Sequence, residues 1–261
     1  DANGAKAVSK DVYQESDGGK WVRYDENGKM IKGWNTNEKG TYYFDPITGA
    51  MAKGDVEIDG VPCSFDETTG IGLNLAWKQE NGKDYWYENG VKQGTTGRGK
   101  EIYDSGSNAW YWLDANQGGA KAVSKDVYQE SEAGDWAENA DGTGKWVRYD
   151  ANGHMVKGWD TNNDGTYYFD LITGAMAKGD IVVDNLPCSF DTNTGIGCNL
   201  MWHSMDGKDY WYEAGKRQGY DPNNAAYRGK EIYDPASDAW YWLDSDANGA
   251  KAVSKDVYQE S

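Results

Sequence analysis

Residues 41–55 read TYYFDPITGAMAKGD and residues 166–180 read TYYFDLITGAMAKGD, with one difference between them. The two stretches are offset by 125 positions, and KWVRYDENGKMIKGW (residues 20–34) returns at the same offset as KWVRYDANGHMVKGW (residues 145–159). Self-similarity at a long, fixed spacing is typical of repeat proteins, in which each unit packs against its neighbours. The sequence therefore predicts two tandem copies of one long unit.

A marker segment separates the copies. DANGAKAVSKDVYQES (residues 1–16) recurs unchanged at residues 246–261, and its last thirteen residues recur at 119–131. We interpret these markers as the ends of successive units in a longer periodic array. Array ends of this kind also suggest that copies of the chain associate with one another. The predicted domains are residues 1–16 as the end of a preceding unit, 17–131 as the first β-hairpin repeat unit and 132–261 as the second.

Aromatic residues dominate the apolar composition. The chain is 38% hydrophobic and contains 13 Trp and 19 Tyr against 4 Phe, together with 34 Gly. Each large amphipathic ring buries much area while its polar atom stays hydrated. The composition therefore favours a thin repeat stack held by rings over a thick aliphatic core.

The charge balance restricts the partners. The formal net charge is −17, so phosphate groups of nucleic acids and anionic lipids repel the chain. No apolar run approaches the ~18 residues that a membrane-spanning helix needs. We therefore expect neither nucleic acid nor membrane as a partner, which leaves cationic and neutral ligands.

A small pattern returns along each unit: an aromatic strand, a turn rich in Asp, Asn, Thr and Gly, and a second short strand. Asp or Asn followed by Gly supplies the positive φ that tight hairpin turns require. The sequence therefore predicts an all-β, elongated solenoid of stacked β-hairpins. The pattern is seen in WVRY-DENG-KMIKGW, YYF-DPITG-AMAKG, CSF-DETTG-IGLNL, YWY-ENG-VKQG and WYWL-DANQGG-AKAVS.

Two kinds of segment stand outside this pattern. The marker AVSKDVYQES suggests a brief turn or an irregular link. The second copy carries about ten extra residues near 132–144 and about five near 221–227. The first of these insertions is polar and Gly-rich, which predicts an exposed loop with Trp136 as its exposed ring.

The segments KGWNTNEKGTYYFDPITGAMAKG (residues 32–54) and KGWDTNNDGTYYFDLITGAMAKG (residues 157–179) resemble the cell-wall-binding, or choline-binding, repeats of Gram-positive surface proteins. That group includes the glucan-binding repeats. The resemblance implies β-hairpins wound as a left-handed solenoid in a secreted or cell-surface protein. It also implies a bacterial cell-wall polymer or glycan as the partner, with choline as one candidate group.

The resemblance further implies ligand sites between consecutive hairpins, built from rings and a Met. A quaternary ammonium group in such a cage gains ~0.5–2 kcal/mol per ring, and ring faces also suit sugars. The second expected Gly-Trp reads Gly54-Asp55 and Gly179-Asp180, so at most one cage of this kind remains per unit. The cage candidates are Trp34, Tyr42, Tyr43, Met51, Trp159, Tyr167, Tyr168 and Met176.

Most rings have a structural interpretation as well, because thin stacks must bury something. The paired tryptophans Trp110 with Trp112, and Trp240 with Trp242, recur every second residue on one strand face. That spacing favours packing over a binding platform.

The segment Asp160-Thr-Asn162-Asn-Asp164-Gly has the D-x-N-x-D-G pattern of calcium loops. However, Leu171 stands where such a loop carries its twelfth-position Glu. A solvated hairpin turn is therefore the favoured interpretation, and we expect neither a bound metal nor a cofactor.

The three cysteines, Cys63, Cys188 and Cys198, leave two alternatives. If Phe190 faces Ile196 in a hairpin, Cys188 and Cys198 lie opposite each other and a disulfide is sterically feasible. Otherwise all three are small buried hydrophobic residues, which is the favoured interpretation because Cys63 has no counterpart of Cys198 in its own unit.

Catalysis finds little support. His154 and His203 stand in unrelated contexts where the first copy has Lys29 and Lys78, and neither is arranged as in a catalytic triad. We therefore predict a non-catalytic cell-wall- or glycan-binding repeat module of a secreted or surface-attached Gram-positive protein. The alternative is a structural stalk or extracellular fibre segment in which all the rings are buried.

Overall fold

The computed structural model describes residues 4–15, 18–130 and 144–257. Within these ranges it contains 24 β-strands and two short 3₁₀ turns, Ala115–Gln117 and Ser245–Ala247. No helix in the described ranges has the length and apolarity needed to span a membrane. The all-β prediction is confirmed. Trp136 and most of the predicted exposed loop at 133–144 lie outside the described residues.

The first copy of the sequence forms strands β1–β12, and β13–β24 follow from Lys125 onward. The first twelve are β1 (Lys10–Gln14), β2 (Lys20–Tyr24), β3 (Gly33–Asn37), β4 (Gly40–Phe44), β5 (Gly54–Ile58), β6 (Val61–Phe65), β7 (Ala76–Glu80), β8 (Lys83–Glu88), β9 (Val91–Lys92), β10 (Gly99–Asp104), β11 (Ala109–Asp114) and β12 (Ala120–Lys121). The second twelve are β13 (Lys125–Gln129), β14 (Lys145–Tyr149), β15 (Gly158–Thr161), β16 (Thr166–Phe169), β17 (Gly179–Val183), β18 (Leu186–Phe190), β19 (Met201–Met205), β20 (Lys208–Glu213), β21 (Lys216–Arg217), β22 (Gly229–Asp234), β23 (Ala239–Asp244) and β24 (Ala250–Lys251).

The chain divides into two compact units. The first comprises Asp1–Lys125 with Tyr149–His154, and the second comprises Asp126–Arg148 with Met155–Ser261. Each unit contains an eight-stranded sheet with the same strand order: β10-β11-β12-β8-β9-β6-β5 with β7 on β8, and β22-β23-β24-β20-β21-β18-β17 with β19 on β20. The two copies of the sequence therefore fold alike.

Tight turns join the paired strands. Asp59-Gly60 between β5 and β6, Asn81-Gly82 between β7 and β8, and Asn89-Gly90 between β8 and β9 all have positive φ at both residues. Type I′ hairpin turns require this geometry, and Gly adopts it without strain. The predicted role of the Asp/Asn-Gly pairs is confirmed.

The pairing of the first hairpins differs from the prediction. β3 pairs with β4 from Gly33 opposite Phe44 to Asn37 opposite Gly40, whereas the sequence prediction paired the aromatic strand with the segment that follows it. That second pairing is reduced to one bridge, Phe44 with Met51. The Ala52 N–H donates to the Tyr43 carbonyl on one side of this bridge, while the Met51 N–H points away from β4 and donates to the Trp21 carbonyl of the preceding hairpin at 2.7 Å.

These backbone bonds stack the hairpins within each unit. The Gly72 N–H likewise donates to the Thr41 carbonyl at 2.7 Å, and the second unit repeats both bonds. Buried side chains between hairpins form separate clusters of three or four residues, such as Ile58, Cys63 and Phe65. The prediction of stacked hairpins without one thick aliphatic core is therefore confirmed in each unit.

The marker segment is a strand. Lys10–Gln14 pairs with β2, which places Val12 opposite Val22 and Tyr13 opposite Trp21. The prediction of a turn or irregular link is wrong here, because the alternating segment completes a hairpin whose Val22 is fully buried.

The cysteine register is also shifted. Phe190 bridges Gly197, and the Cys198 N–H donates to the Ser189 carbonyl at 2.9 Å. Cys198 therefore lies opposite Ser189 and not opposite Cys188, because a one-residue change of register turns a side chain to the other face. All three cysteines are free thiols; Cys63 and Cys188 are buried, as in the favoured interpretation, whereas Cys198 is only half-buried.

Four loops of the form Asp-x-x-Thr-Gly are held by their first residue. The Asp170 carboxylate accepts hydrogen bonds from the Ile172 N–H, the Thr173 N–H and the Thr173 hydroxyl at 2.7–2.9 Å. The pKa of Asp170 is lowered chiefly because the Thr173 N–H stabilises the charged form, although burial opposes the shift. The equivalent carboxylates, which also have lowered pKa values, are Asp45, Asp66 and Asp191.

We expect these carboxylates to make the fold acid-sensitive. Since their folded pKa values lie below the unfolded ones, the stability they contribute is present above about pH 4 and is lost as pH falls through the folded pKa. NMR titration should place the Asp170 pKa below normal in the native chain. Thr173→Val should raise it, because one donor is lost, and should leave the pKa of Asp191 unchanged. An unshifted Asp170 in both proteins would contradict the loop geometry.

Close packing of the loop after β9 gives a second prediction. Gly94 and Gly97 have nearly the same positive φ, 68° and 62°. A Cβ atom added at Gly94 would lie 2.3 Å from the Leu113 Cβ, whereas a Cβ atom added at Gly97 would have no neighbouring atom within 4 Å. Gly97→Ala should lose about 1 kcal/mol of unfolding free energy through backbone strain alone. Gly94→Ala should lose a further 1–3 kcal/mol or so through overpacking. Urea denaturation of both variants measures the difference, and equal losses would argue against the contact.

Candidate functional site

Strand alternation separates the predicted cage residues. Tyr42 and Tyr43 are neighbours in β4 and therefore point to opposite faces of the hairpin. Tyr42 is buried at 2% exposure, whereas Tyr43 is half-buried beside Trp34. The eight candidates thus form two different sites in each unit rather than one cage.

The first site is an open aromatic corner, which we define as Trp34, Tyr43 and Phe65. Trp34 lies directly opposite Tyr43 in the β3/β4 hairpin, with their ring centroids 5.1 Å apart and edge-to-face. The Phe65 ring of the next hairpin is 6.0 Å from Trp34. Trp34 is 44% exposed, so its ring is available to a ligand.

Negative charge lies near this corner. The pKa of Tyr43 is raised, first by burial and then by the carboxylate of Asp59, which stands in the turn between β5 and β6. A carboxylate close enough to disfavour a tyrosinate also attracts a cation. The corner therefore combines the exposed Trp34 ring and the half-buried Tyr43 ring with a nearby negative charge, while the Phe65 ring is buried at 2% exposure.

The second site is the buried face of the same hairpin, where the side chain of Arg23 covers the rings of Tyr42 and Phe44. The Arg23 guanidinium lies 3.9 Å from the Tyr42 ring centroid and 5.3 Å from that of Phe44. It also donates to both carboxylate oxygens of Asp11, at 2.7 and 2.9 Å, and to Asn35 at 3.1 Å.

The second unit repeats this arrangement around Arg148. Its guanidinium lies 4.0 Å from the Tyr167 centroid and pairs with Asp126 at 2.7 Å and Asp160 at 2.9 Å. The pKa of Arg148 is raised, chiefly by the hydrogen bond with Asp126. Met176 is buried in a cluster with Tyr167 and Phe169. Tyr42, Tyr167 and Met176 are therefore buried and do not line an open cage, whereas Met51 is half-buried where it bridges Phe44.

The open corner has a counterpart in the second unit. Trp159 lies opposite Tyr168, with ring centroids 5.2 Å apart, and 5.9 Å from Phe190. Here the Lys216 Nζ stands 4.3 Å from the Trp159 centroid. The two corners thus have the same arrangement of rings, but in the second one a lysine ammonium group lies close to the tryptophan.

Basic groups cover other rings in the same way, which the sequence analysis missed. No local signal marks these contacts, because the short strands that carry the basic residues contain no aromatic residue and the rings come from other strands. In each case below, a charged group lies within 6 Å of at least two rings. The groups are Lys92 at Tyr85 and Tyr87, Lys121 at Trp77 and Tyr111, Arg217 at Tyr210 and Tyr212, and Lys251 at Trp202 and Tyr241.

Exposed Tyr–Trp pairs form a further surface feature. Trp110 is 39% and Trp240 is 66% exposed, so the prediction that they pack inside is wrong. Their rings instead contact Tyr103 and Tyr233 across a two-stranded hairpin, with centroids 5.2 and 5.3 Å apart. Trp112, on the same strand, is buried as predicted.

The calcium candidates do not converge on a metal site. Asp160 is paired with Arg148, and the Asn162 side chain accepts the N–H groups of Asp164 and Gly165 at 2.9 and 3.2 Å. These residues form a hairpin turn. Across the described ranges, no group of three or more His, Cys, Asp or Glu side chains could hold a metal ion.

The Arg148 arrangement predicts a measurable stability effect. Arg148→Met keeps the hydrophobic stem but leaves Asp126 and Asp160 without their cation, so we expect a loss of about 1–3 kcal/mol in unfolding free energy. Lys157→Met is the control, because Lys157 is exposed and donates a surface hydrogen bond to the Ile172 carbonyl, and it should change stability by less than about 0.5 kcal/mol. Thermal and urea denaturation measure both, and similar losses would argue against the role of Arg148.

A family model described as choline-binding repeat matches residues 14–70. No curated protein matches the sequence of the chain. Choline-binding protein F from Streptococcus pneumoniae is similar in structure, with 20% identity over 82% of this chain and 71% of that chain and a TM-score of 0.52.

Two other solved structures from the same organism are less similar. CbpJ matches with 15% identity over 95% of this chain and 96% of that chain, at a TM-score of 0.49. The modular autolysin LytC matches with 20% identity over 82% of this chain and 49% of that chain, at a TM-score of 0.31. The resemblance to choline-binding repeats is confirmed for residues 14–70, which match that family's model, and the fold of the chain is similar to that of choline-binding protein F.

Proposed function

We propose that the chain is a non-catalytic module that attaches a secreted or surface-attached Gram-positive protein to a cell-wall polymer or glycan. Its ligand is a quaternary ammonium group of the choline type, bound at the open corner. One observation carries the proposal: Trp34 is 44% exposed against Tyr43 and Phe65, within the segment that matches choline-binding repeats.

The chemistry of the corner suits such a group. A trimethylammonium carries a charge but no hydrogen-bond donor, so ring faces bind it better than they bind a strongly hydrated primary ammonium. Two rings at the upper value of ~2 kcal/mol each give about 4 kcal/mol, which corresponds to a dissociation constant on the order of 1 mM. Repeated weak sites along a polymer gain affinity through avidity.

Two further observations support this choice of partner. The net charge of −17 favours a cationic ligand over an anionic one. The structure of choline-binding protein F was solved in the presence of a peptidoglycan analogue, a tetrasaccharide-pentapeptide. A glycan carrying cationic substituents would present both groups to the exposed rings.

The stalk or fibre alternative requires all the rings to be buried. Several tryptophans are instead well exposed, and this disfavours a purely structural role. The exposed tryptophans of the described residues are Trp21, Trp34, Trp110, Trp146 and Trp240.

The test is retention on a choline-substituted resin. Because an acidic chain also binds a cationic resin non-specifically, elution by choline chloride is compared with elution by sodium chloride at the same ionic strength. We expect choline to elute the native chain at lower concentration. Trp34→Ala should abolish that difference, whereas Trp110→Ala, which removes a similarly exposed ring elsewhere, should preserve it. Equal elution of the native chain by both salts would overturn the proposal.

A further inference from the structure

The two open corners differ at one strand position. β9 pairs with β6 at Val91 opposite Cys63, and β21 pairs with β18 at Lys216 opposite Cys188. The equal register makes Val91 and Lys216 equivalent in the two units. A neutral side chain in one copy thus corresponds to a cation in the other.

The cation of the second unit lies where a ligand would bind. The Lys216 Nζ is 4.3 Å from the centroid of the Trp159 ring, well within the ~6 Å at which an ammonium group gains from a ring face. In the first unit, Val91 packs with Phe65 and Tyr43 and brings no charge. Trp34 there is exposed, whereas Trp159 is half-buried.

The surroundings of Lys216 also suit an ammonium group. The carboxylates of Asp184 and Asp221 line the same cavity as Trp159 and Lys216. Asp221 and Tyr227, which also line it, belong to the region where the second copy is about five residues longer. The second corner therefore has additional walls and its own cation.

We propose that Lys216 is a built-in competitor that occupies the Trp159 corner, so that of these two equivalent sites only the Trp34 corner accepts a quaternary ammonium ligand. The inference rests on the proposed function, since it concerns the same kind of site. Because strand pairing holds the Lys216 Nζ 4.3 Å from the ring, this group acts at an effective concentration well above the millimolar value of a flexible tether. A free ligand with a dissociation constant on the order of 1 mM therefore competes poorly with it.

The test uses the full chain and choline chloride as the probe. Indole N–H signals in two-dimensional NMR report each tryptophan separately, and Trp34→Phe and Trp159→Phe assign the two that matter. In the native chain we expect the Trp34 signal to shift with choline and the Trp159 signal to stay. Lys216→Val, which installs the residue of the first unit, should make Trp159 respond with an affinity within a few-fold of that of Trp34.

The reciprocal variant is Val91→Lys. It should weaken the Trp34 response at least tenfold while leaving the unresponsive Trp159 unchanged. Lys216→Met separates charge from packing, because it keeps a long apolar stem, and it should open the Trp159 corner nearly as well as Lys216→Val. Lys216→Arg should keep the corner closed. Thermal melts confirm that each variant is folded.

The outcomes distinguish this inference from the proposed function. If both signals shift in the native chain, or if Trp159 stays silent in Lys216→Val and Lys216→Met while Trp34 responds, the competitor role is wrong and the function stands. If Trp34 does not respond in any folded variant, the proposed function itself fails.

Discussion

Basic side chains lying across aromatic rings are the interaction on which this structure depends. Arg23 joins three strands of neighbouring hairpins, because its guanidinium covers Tyr42 and at the same time pairs with Asp11 and bonds to Asn35. An isolated hairpin is marginally stable in water. At Arg23 and Arg148, a ring face, a cation and a carboxylate together give neighbouring hairpins a directional contact, in addition to burial of apolar area.

This interaction also limits what the protein can bind. A ring that already carries an internal cation offers little to a ligand, since the attractive face and the space are both used. The buried face around Tyr42 is occupied by Arg23, whereas the Trp34 corner is not closed by the equivalent residue, Val91. Ligand selectivity in such a repeat then depends on which ring faces the chain leaves uncovered, more than on how many rings it has.

The two units act as an internal comparison. They share strand order, turn geometry and the Arg–Tyr contact. The distance from the guanidinium to the tyrosine ring centroid is 3.9 Å for Arg23 and 4.0 Å for Arg148. Val91 in the first unit and Lys216 in the second occupy the same strand position. The two units therefore differ in charge at a site whose backbone geometry is the same. Duplicated units can in this way keep a fold while diverging in the availability of a site.

Local chemistry in the sequence determined the strands, the turns and the repeat. Alternation and the Asn89-Gly90 type of turn act over a few residues, so the all-β hairpin architecture and the aromatic packing could be predicted. The placement of Tyr42 and Tyr43 on opposite faces of the hairpin could also be predicted, because neighbouring side chains in a strand point in opposite directions. The repeat likewise placed Trp34 among the candidate residues.

Only the tertiary structure decided which strands pair and which rings stay open. The register of Phe190 with Gly197 depends on a loop bonded within itself, and the coverage of Tyr42 depends on Arg23 from another hairpin. The position of Lys216 over Trp159 joins residues far apart in sequence through the pairing of β18 with β21. Such contacts are set by how hairpins stack, and no local pattern of residues encodes that stacking.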